Sequence, residues 1–434
     1  MGYSIAHDTQ QILADVAAAY GTPCFVYFSS IMRRQLESLR AAFGDRLLLS
    51  FAVKANPNIE ILSWLRTGVD LLDISSEGEL HRSLRAGWPA EKLSFTGPGK
   101  TERELRAAVE HGIGQLVLES VGEAVVADRI TASCRNGGRQ SCLIRIAPAH
   151  VPAGLMPMSP GGATPFGIAE EDLTKALPVI LNLRNLKIEG FHIYSGSHCL
   201  DAEILLRNYG IFLEVFSHYC EVYQLTPSKL VLGAGIGIPY DEESKPIDLA
   251  ALGAGLNRHL DSFTSLPRFA NSVIVYEMGR FVVGPAGYYL SKVSWLKECR
   301  GTSYAIVDGG MHHFQSASRH LSVLGKNLRM FKVPTPEAPS LLRLYDIVGP
   351  LCTHNDKLAR GIRLPDLQEG DLLAIESAGG YGLTLSPTRF ISHQEPTEIF
   401  IDDSLSCGVR DISESSSSIG PRDTLESPRQ SQHR

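Results

Sequence analysis

The amino-acid sequence predicts an α/β protein, a (β/α)8 barrel joined to a second, mostly β domain. Three observations lead there. Candidate strands near 47–53, 69–74, 92–95, 115–118, 141–146, 187–193, 229–232 and 272–276 alternate with segments of helical spacing. After Glu277 the texture changes to short runs separated by turns, with no long helical pattern between them. Residues able to do chemistry fall at the C-terminal ends of the predicted strands, the face on which barrels gather their active sites. A doubly wound sheet is the competing arrangement for the same alternation.

Residues 8–20 have the spacing of a short helix, and Thr22-Pro23 introduces a strand over Cys24–Phe28. The alternation begins at Ser29, with helical spacing over 31–43, 77–86, 101–110 and 202–222. Asn56-Pro57-Asn58 breaks the strand that ends at Val53 and is suited to starting a helix. The Pro-, Gly- and Met-rich segment 147–170 reads as a long loop near the barrel mouth. Short strands are expected over 280–297, 303–309, 328–334, 343–348, 371–376 and 388–392. The expected division is a barrel over 30–277, a β domain made of 1–29 plus 278–405, and a disordered tail over 406–434 that holds the serine run Ser415–Ser418.

With 434 residues, 44% of them hydrophobic and 20% charged, the chain can bury a sizeable core. A net charge of -6 without a long Lys/Arg cluster argues against a nucleic-acid partner. No apolar run reaches membrane-spanning length, and the N-terminus shows no basic region followed by an apolar one. Gly2 invites acylation, but Ala6 stands where Ser or Thr is needed. The eight cysteines show no metal-type pairing, and His198-Cys199 lacks partners at zinc spacing, so no metal is expected. A reduced, cytoplasmic protein is the simplest inference.

The strand ends carry the functional argument. Lys54 follows the apolar run 47–53, where an ammonium is costly to desolvate; a lysine held there is expected to have a depressed pKa and to be able to form a Schiff base. The ordinary alternative is a lysine reaching solvent. Asp73 ends the next strand, Arg145 lies in the fifth, and His192-Ile-Tyr-Ser195-Gly196 ends the sixth. Gly233-Ala-Gly235-Ile-Gly237 ends the seventh and Glu277-Met-Gly279-Arg280 the eighth. Singly these read as a helix cap, a core histidine, a tight turn and a salt bridge. Together they suit an anionic cofactor with an aldehyde-reactive lysine, its phosphate cradled by the N–H groups of a glycine loop.

Ala52-Val53-Lys54-Ala55-Asn56 resembles the cofactor-lysine motif of the fold-type III pyridoxal-phosphate enzymes, which include diaminopimelate decarboxylase, ornithine decarboxylase and alanine racemase. The resemblance extends over about residues 20–395. His192-Ile-Tyr-Ser195-Gly196 resembles His-x-x-Ser-Gly, implying that His192 stacks on the pyridoxal ring and Ser195 touches the phosphate. The triple-glycine loop is matched by Gly233, Gly235 and Gly237, with Ala234 as a departure. Glu277-Met278-Gly279-Arg280 resembles Glu-Pro-Gly-Arg, implying that Glu277 faces the pyridine nitrogen and Arg280 helps hold the phosphate. Gly379-Gly380-Tyr381-Gly382 resembles Gly-Ala-Tyr-Gly, whose tyrosine reaches the phosphate. Gly349-Pro-Leu-Cys352-Thr353 resembles the Gly-Pro-x-Cys motif of the decarboxylases.

The resemblance implies a pyridoxal 5'-phosphate-dependent amino-acid α-decarboxylase with an alanine racemase-like barrel. Lys54 holds the cofactor, and Cys352 from the partner of a homodimer returns a proton to the substrate's Cα. His192 joins Lys54 and Cys352 as a catalytic residue, and Asp73, Arg145 and Gly279 join the cofactor contacts. The position after the cysteine is Thr353, where diaminopimelate and ornithine decarboxylases carry an acid that meets the distal amine. Threonine cannot supply that charge. With Gly-Gly-Met311-His312-His313, this points to the biosynthetic branch acting on carrier-bound amino acids or siderophore precursors. A diaminopimelate decarboxylase with an altered pocket and a non-catalytic cofactor-binding homologue are the alternatives. The paired histidines suit either substrate recognition or a β-turn.

Overall fold

The computed structural model describes residues 7–134, 137–155, 163–318, 325–334, 341–403 and 408–413. After a helix over His7–Tyr20, β1 (Cys24–Phe28) leads into the alternation. The next strands are β2 (Leu47–Ala52), β3 (Leu71–Ile74), β4 (Leu93–Phe95), β5 (Gln115–Leu118), β6 (Gln140–Ala147), a short β7 (Ile168–Ala169), β8 (Leu186–Ile193), β9 (Lys229–Gly233) and β10 (Val273–Met278). The spatial order β5-β4-β3-β2-β10-β9-β8-β6, with β5 also paired to β6, closes the sheet. All these pairings are parallel, so the structure is the expected (β/α)8 barrel and not an open doubly wound sheet.

Local chemistry explains the punctuation. Asn58 caps the helix Ile59–Leu65 by accepting from the Glu60 N–H. Thr101 and Glu104 form a capping box at the helix Glu102–Glu110. Along β8 the residues alternate, so Phe191 packs outward on Phe216 of the helix Ala202–Val222 with ring centroids 6.1 Å apart. His192 faces the barrel interior, where its Nε2 lies 3.0 Å from Glu277.

The second sheet contains β1, β11 (Gly287–Cys299), β12 (Thr302–Val307), β13 (Met330–Val333), β14 (Leu342–Val348), β15 (Lys357–Pro365), β16 (Leu372–Ile375), β17 (Thr397–Ile401) and β18 (Val409–Asp411). β1 lies between β11, antiparallel to it, and β17, parallel to it.

Several expectations need correction. The strand expected over 280–297 begins at Gly287, because Arg280–Ala286 coils into two helical turns with Pro285 in the second. Residues 390–392 form a turn instead of a strand, with Ile391 at φ 59°. β15 was not anticipated; its sequence is rich in cations and interrupted by Gly361 at φ 57°. The tail expected to be disordered from residue 406 contributes β18, paired with β17, whereas its serine run and residues 156–162 of the Met-rich loop lie outside the described residues. Among the described residues no helix is long and apolar enough to cross a membrane, and no group of three or more His, Cys, Asp or Glu is placed to hold a metal ion.

Candidate active site at the barrel mouth

β2 ends in a helical turn, Val53–Ala55, that directs Lys54 into a pocket at the C-terminal ends of the barrel strands. The pocket is lined by Lys54, Tyr194, Ser197, the segment 234–236 and the segment 277–280, with Tyr381 entering from the second sheet's side. Lys54 stays accessible along the pocket while protein atoms surround it. The expected depression of its pKa is not what the surroundings produce. Burial works against the ammonium, but the carboxylates of Asp73 and then Glu277 outweigh it, and its pKa is raised.

The two carboxylates behave differently. Asp73, at the end of β3, accepts a hydrogen bond from the Thr96 hydroxyl, and its Oδ2 is buried without a hydrogen-bond partner among the described residues. Burial, then the charge of Glu277, pushes its carboxyl well above the ordinary range. Burial also opposes the charge on Glu277, but the hydrogen bond and charge of His192, followed by Lys54, bring its pKa down to about 2. Glu277 therefore carries the fixed negative charge of the site.

The other end of the pocket is built for an anion. Gly235, at φ 68°, approaches the 196–199 segment so closely that a Cβ would lie 3.0 Å from the Gly196 carbonyl oxygen. Cys199 N–H donates to the Gly235 carbonyl at 3.0 Å and Gly237 N–H to the Cys199 carbonyl at 2.8 Å, which fixes the two loops together. Arg280 donates to the Tyr240 hydroxyl at 2.5 Å and lies 4.6 Å from the Tyr381 ring centroid. Its Nε is buried without a hydrogen-bond partner among the described residues. Tyr381 is held at φ 56° by its N–H bond to the Ala55 carbonyl, 2.9 Å. An orphaned guanidinium nitrogen beside a glycine loop, facing a pocket lysine and an ionised glutamate, fits pyridoxal 5'-phosphate: anion at one end, ring nitrogen at the other, aldehyde between.

The structure thus brings together Lys54, Gly235, Glu277, Gly279, Arg280 and Tyr381, with Asp73 close behind. Gly233 and Gly237 shape the loops without lining the pocket. Arg145 is committed to Glu119, 2.9 Å away, and lies over the Phe166 ring at 4.9 Å. His192 sits beneath the pocket against Glu277. Ser195 is turned away, its hydroxyl donating to Asn208 Oδ1 at 2.8 Å in the core. Two polar lining side chains, Tyr194 and Ser197, were missed; the period-two alternation continued past His192 would have found Tyr194. Cys352 is exposed on the 349–356 loop and is not among the pocket-lining residues. His312 and His313 are buried in a turn, with His313 N–H bonded to the Gly310 carbonyl and its ring to the Tyr289 hydroxyl and the Gln394 carbonyl. This favours the turn reading of the pair.

Comparison with known proteins agrees with this geometry. Residues 29–284 match the family described as pyridoxal-dependent decarboxylase, pyridoxal binding domain. The chain is 33% identical to a diaminopimelate decarboxylase of Zymomonas mobilis, over 92% of each chain. It is 28% identical to the L-glutamyl-[BtrI acyl-carrier protein] decarboxylase of Niallia circulans, over 88% of this chain and 89% of that one. The diaminopimelate decarboxylase of Helicobacter pylori, solved with L-lysine, superposes with a TM-score of 0.81 at 26% identity, covering 93% of this chain and 96% of that one.

Proposed function

The chain belongs to the pyridoxal-dependent decarboxylases, and from that premise we propose that it decarboxylates an α-amino acid carried in a conjugate, not a free diamino acid. The observation that carries the substrate reading is Thr353 beside Cys352, a neutral side chain where a distal ammonium would need a carboxylate. The Niallia circulans relative, named for a carrier-bound substrate, supports the same reading. The diaminopimelate decarboxylase similarity keeps free meso-diaminopimelate as the second substrate to test.

The cofactor supplies an electron sink for the pair left behind when carbon dioxide departs. The chain's residues do the rest. Lys54 would anchor the cofactor covalently through Nζ and afterwards move protons at that atom. Glu277, kept ionised, would hold a proton on the ring nitrogen, while Arg280, Tyr381, Ser197 and the Gly235–Ile236 backbone would bind the phosphate. Cys352 would hold at Sγ the proton delivered to the substrate's Cα. Its exposed position outside the Lys54 pocket supports a homodimer in which each chain completes the other's site. Carbon dioxide release is to be measured with free diaminopimelate, ornithine and lysine, and with amide and thioester conjugates of α-amino acids. Turnover of conjugates alone is expected; preference for free diaminopimelate would overturn the substrate reading.

A further inference from the structure

We propose that Tyr194 packs against the cofactor ring in this chain, while His192 lies one layer deeper and acts as the positioning residue for Glu277. The inference rests on the reading of the Lys54 pocket as a pyridoxal phosphate site. It follows from strand geometry. Successive side chains of β8 point to opposite faces, so His192 and Tyr194 share the inward direction and differ by one layer along the barrel axis. His192 is paired in register with Arg145 on β6 and Val231 on β9, inside the closed sheet. It is 2% exposed, and its Nε2 is held by Glu277 at 3.0 Å. Tyr194 comes after the last residue of the strand, above the closed sheet, and lines the pocket beside Lys54.

Two further observations place Tyr194 in the site. Lys54 Nζ lies 5.8 Å from its ring centroid and Arg145 Cζ 6.0 Å, so both cations are drawn to the same aromatic ring. Gly233, at the end of the neighbouring strand, makes room for it: a Cβ there would lie 2.5 Å from Tyr194 Cδ2 and 2.9 Å from Tyr194 Cβ. The first glycine of the loop therefore seats the tyrosine, while Gly235 shapes the anion end. A phenol ring suits this position. It offers a flat aromatic surface to a pyridine ring without adding a third cation beside Lys54 and Arg145. His192 acts through Glu277, whose carboxylate it holds aimed at the ring-nitrogen end of the pocket.

The test is a titration of apoprotein with pyridoxal 5'-phosphate, read as a dissociation constant and as the circular dichroism induced in the bound cofactor. Tyr194→Phe is expected to match the wild type within about threefold, because the ring is kept, and Tyr194→Leu to bind about tenfold more weakly, the scale of a lost aromatic contact. The induced dichroism should fall in Tyr194→Leu alone, and far-ultraviolet dichroism of each apoprotein checks that it has folded. In His192→Gln the ring-stacking signal should persist while the cofactor's absorbance changes its dependence on pH, because Glu277 has lost its fixed partner. Wild-type binding with equal affinity and dichroism in Tyr194→Leu would overturn the assignment, as would loss of the dichroism in His192→Gln but not in Tyr194→Leu. Absence of binding by the wild type would instead remove the cofactor reading of the pocket, and this inference with it.

Discussion

Replacing Asp356 with alanine should loosen the cysteine loop without touching the lysine pocket. The Asp356 carboxylate is buried and accepts two backbone hydrogen bonds, from Met311 N–H at 2.7 Å and Leu351 N–H at 2.8 Å. Its own carbonyl accepts from Gly349 N–H at 3.1 Å. One side chain thus joins the Met-His-His turn to the loop that presents Cys352. Gly310 and Gly349 flank the carboxylate, and a Cβ on either would run into it. Hydrogen bonds to a charged acceptor contribute about 1.5–3 kcal/mol each, so losing both costs local closure about 3 kcal/mol or more. Through the tenfold change per 1.4 kcal/mol, that is roughly a hundredfold larger equilibrium constant for opening. Hydrogen exchange at the amides of Met311 and Leu351, together with the alkylation rate of Cys352, measures this directly. Cofactor affinity should stay at its wild-type value, because Asp356 lies outside the residues that line the Lys54 pocket. Exchange within tenfold of the wild type at both amides would refute the argument.

Other outcomes follow from the same geometry. Gly233→Ala should displace Tyr194 and weaken cofactor binding by about ten- to a hundredfold, the range expected for an overpacked methyl, as read by cofactor titration. Glu277, with its pKa lowered to about 2, contributes stability that is present above the ordinary carboxylate range and is lost as the pH falls from about 4.5 toward 2. Acid titration of Glu277→Gln should therefore show a shallower loss of stability in that window than the wild type. Cys352→Ser should retain cofactor binding and Lys54 labelling by borohydride while decarboxylation turnover falls at least tenfold, the lower scale of a lost proton donor. Thr353→Glu should raise activity toward free diamino acids relative to conjugates, measured as the ratio of kcat/KM values.

Much of this architecture could be read from residue order. Some barrel strands announce themselves because parallel strands buried on both faces are mostly apolar runs, as in 47–53 and 230–232. The second sheet was harder. β15 mixes cations with apolar residues and bends at Gly361, and β17 and β18 are short and depend on β1 for their place. At the site, strand ends located Lys54, Glu277 and Arg280 because each follows a legible core strand. In the 192–197 segment a motif fixes residue types, whereas the pleat fixes depth. His192 and Tyr194 share a face, but only one of them reaches the mouth. The raised pKa of Lys54 was also beyond sequence reasoning: Asp73 and Glu277 come from β3 and β10, the strands on either side of β2, and the balance between desolvation and their charge depends on their approach.

The position of β1 makes the lysine loop a late product of synthesis. All eight barrel strands have been made once Met278 is added, yet the turn that carries Lys54 is held by groups made more than a hundred residues later. Asn56 Nδ2 donates to the Gly379 carbonyl at 3.0 Å, and Tyr381 N–H to the Ala55 carbonyl. Asn58 Nδ2 and the Tyr27 hydroxyl share the carboxylate of Glu398, at 3.3 and 2.7 Å. A nascent chain stopped before Thr397 would leave one edge of β1 unpaired, with Asn58 and Tyr27 lacking their common acceptor. On the ribosome the barrel can close early, but the brace behind its reactive lysine is set only when the last strands arrive.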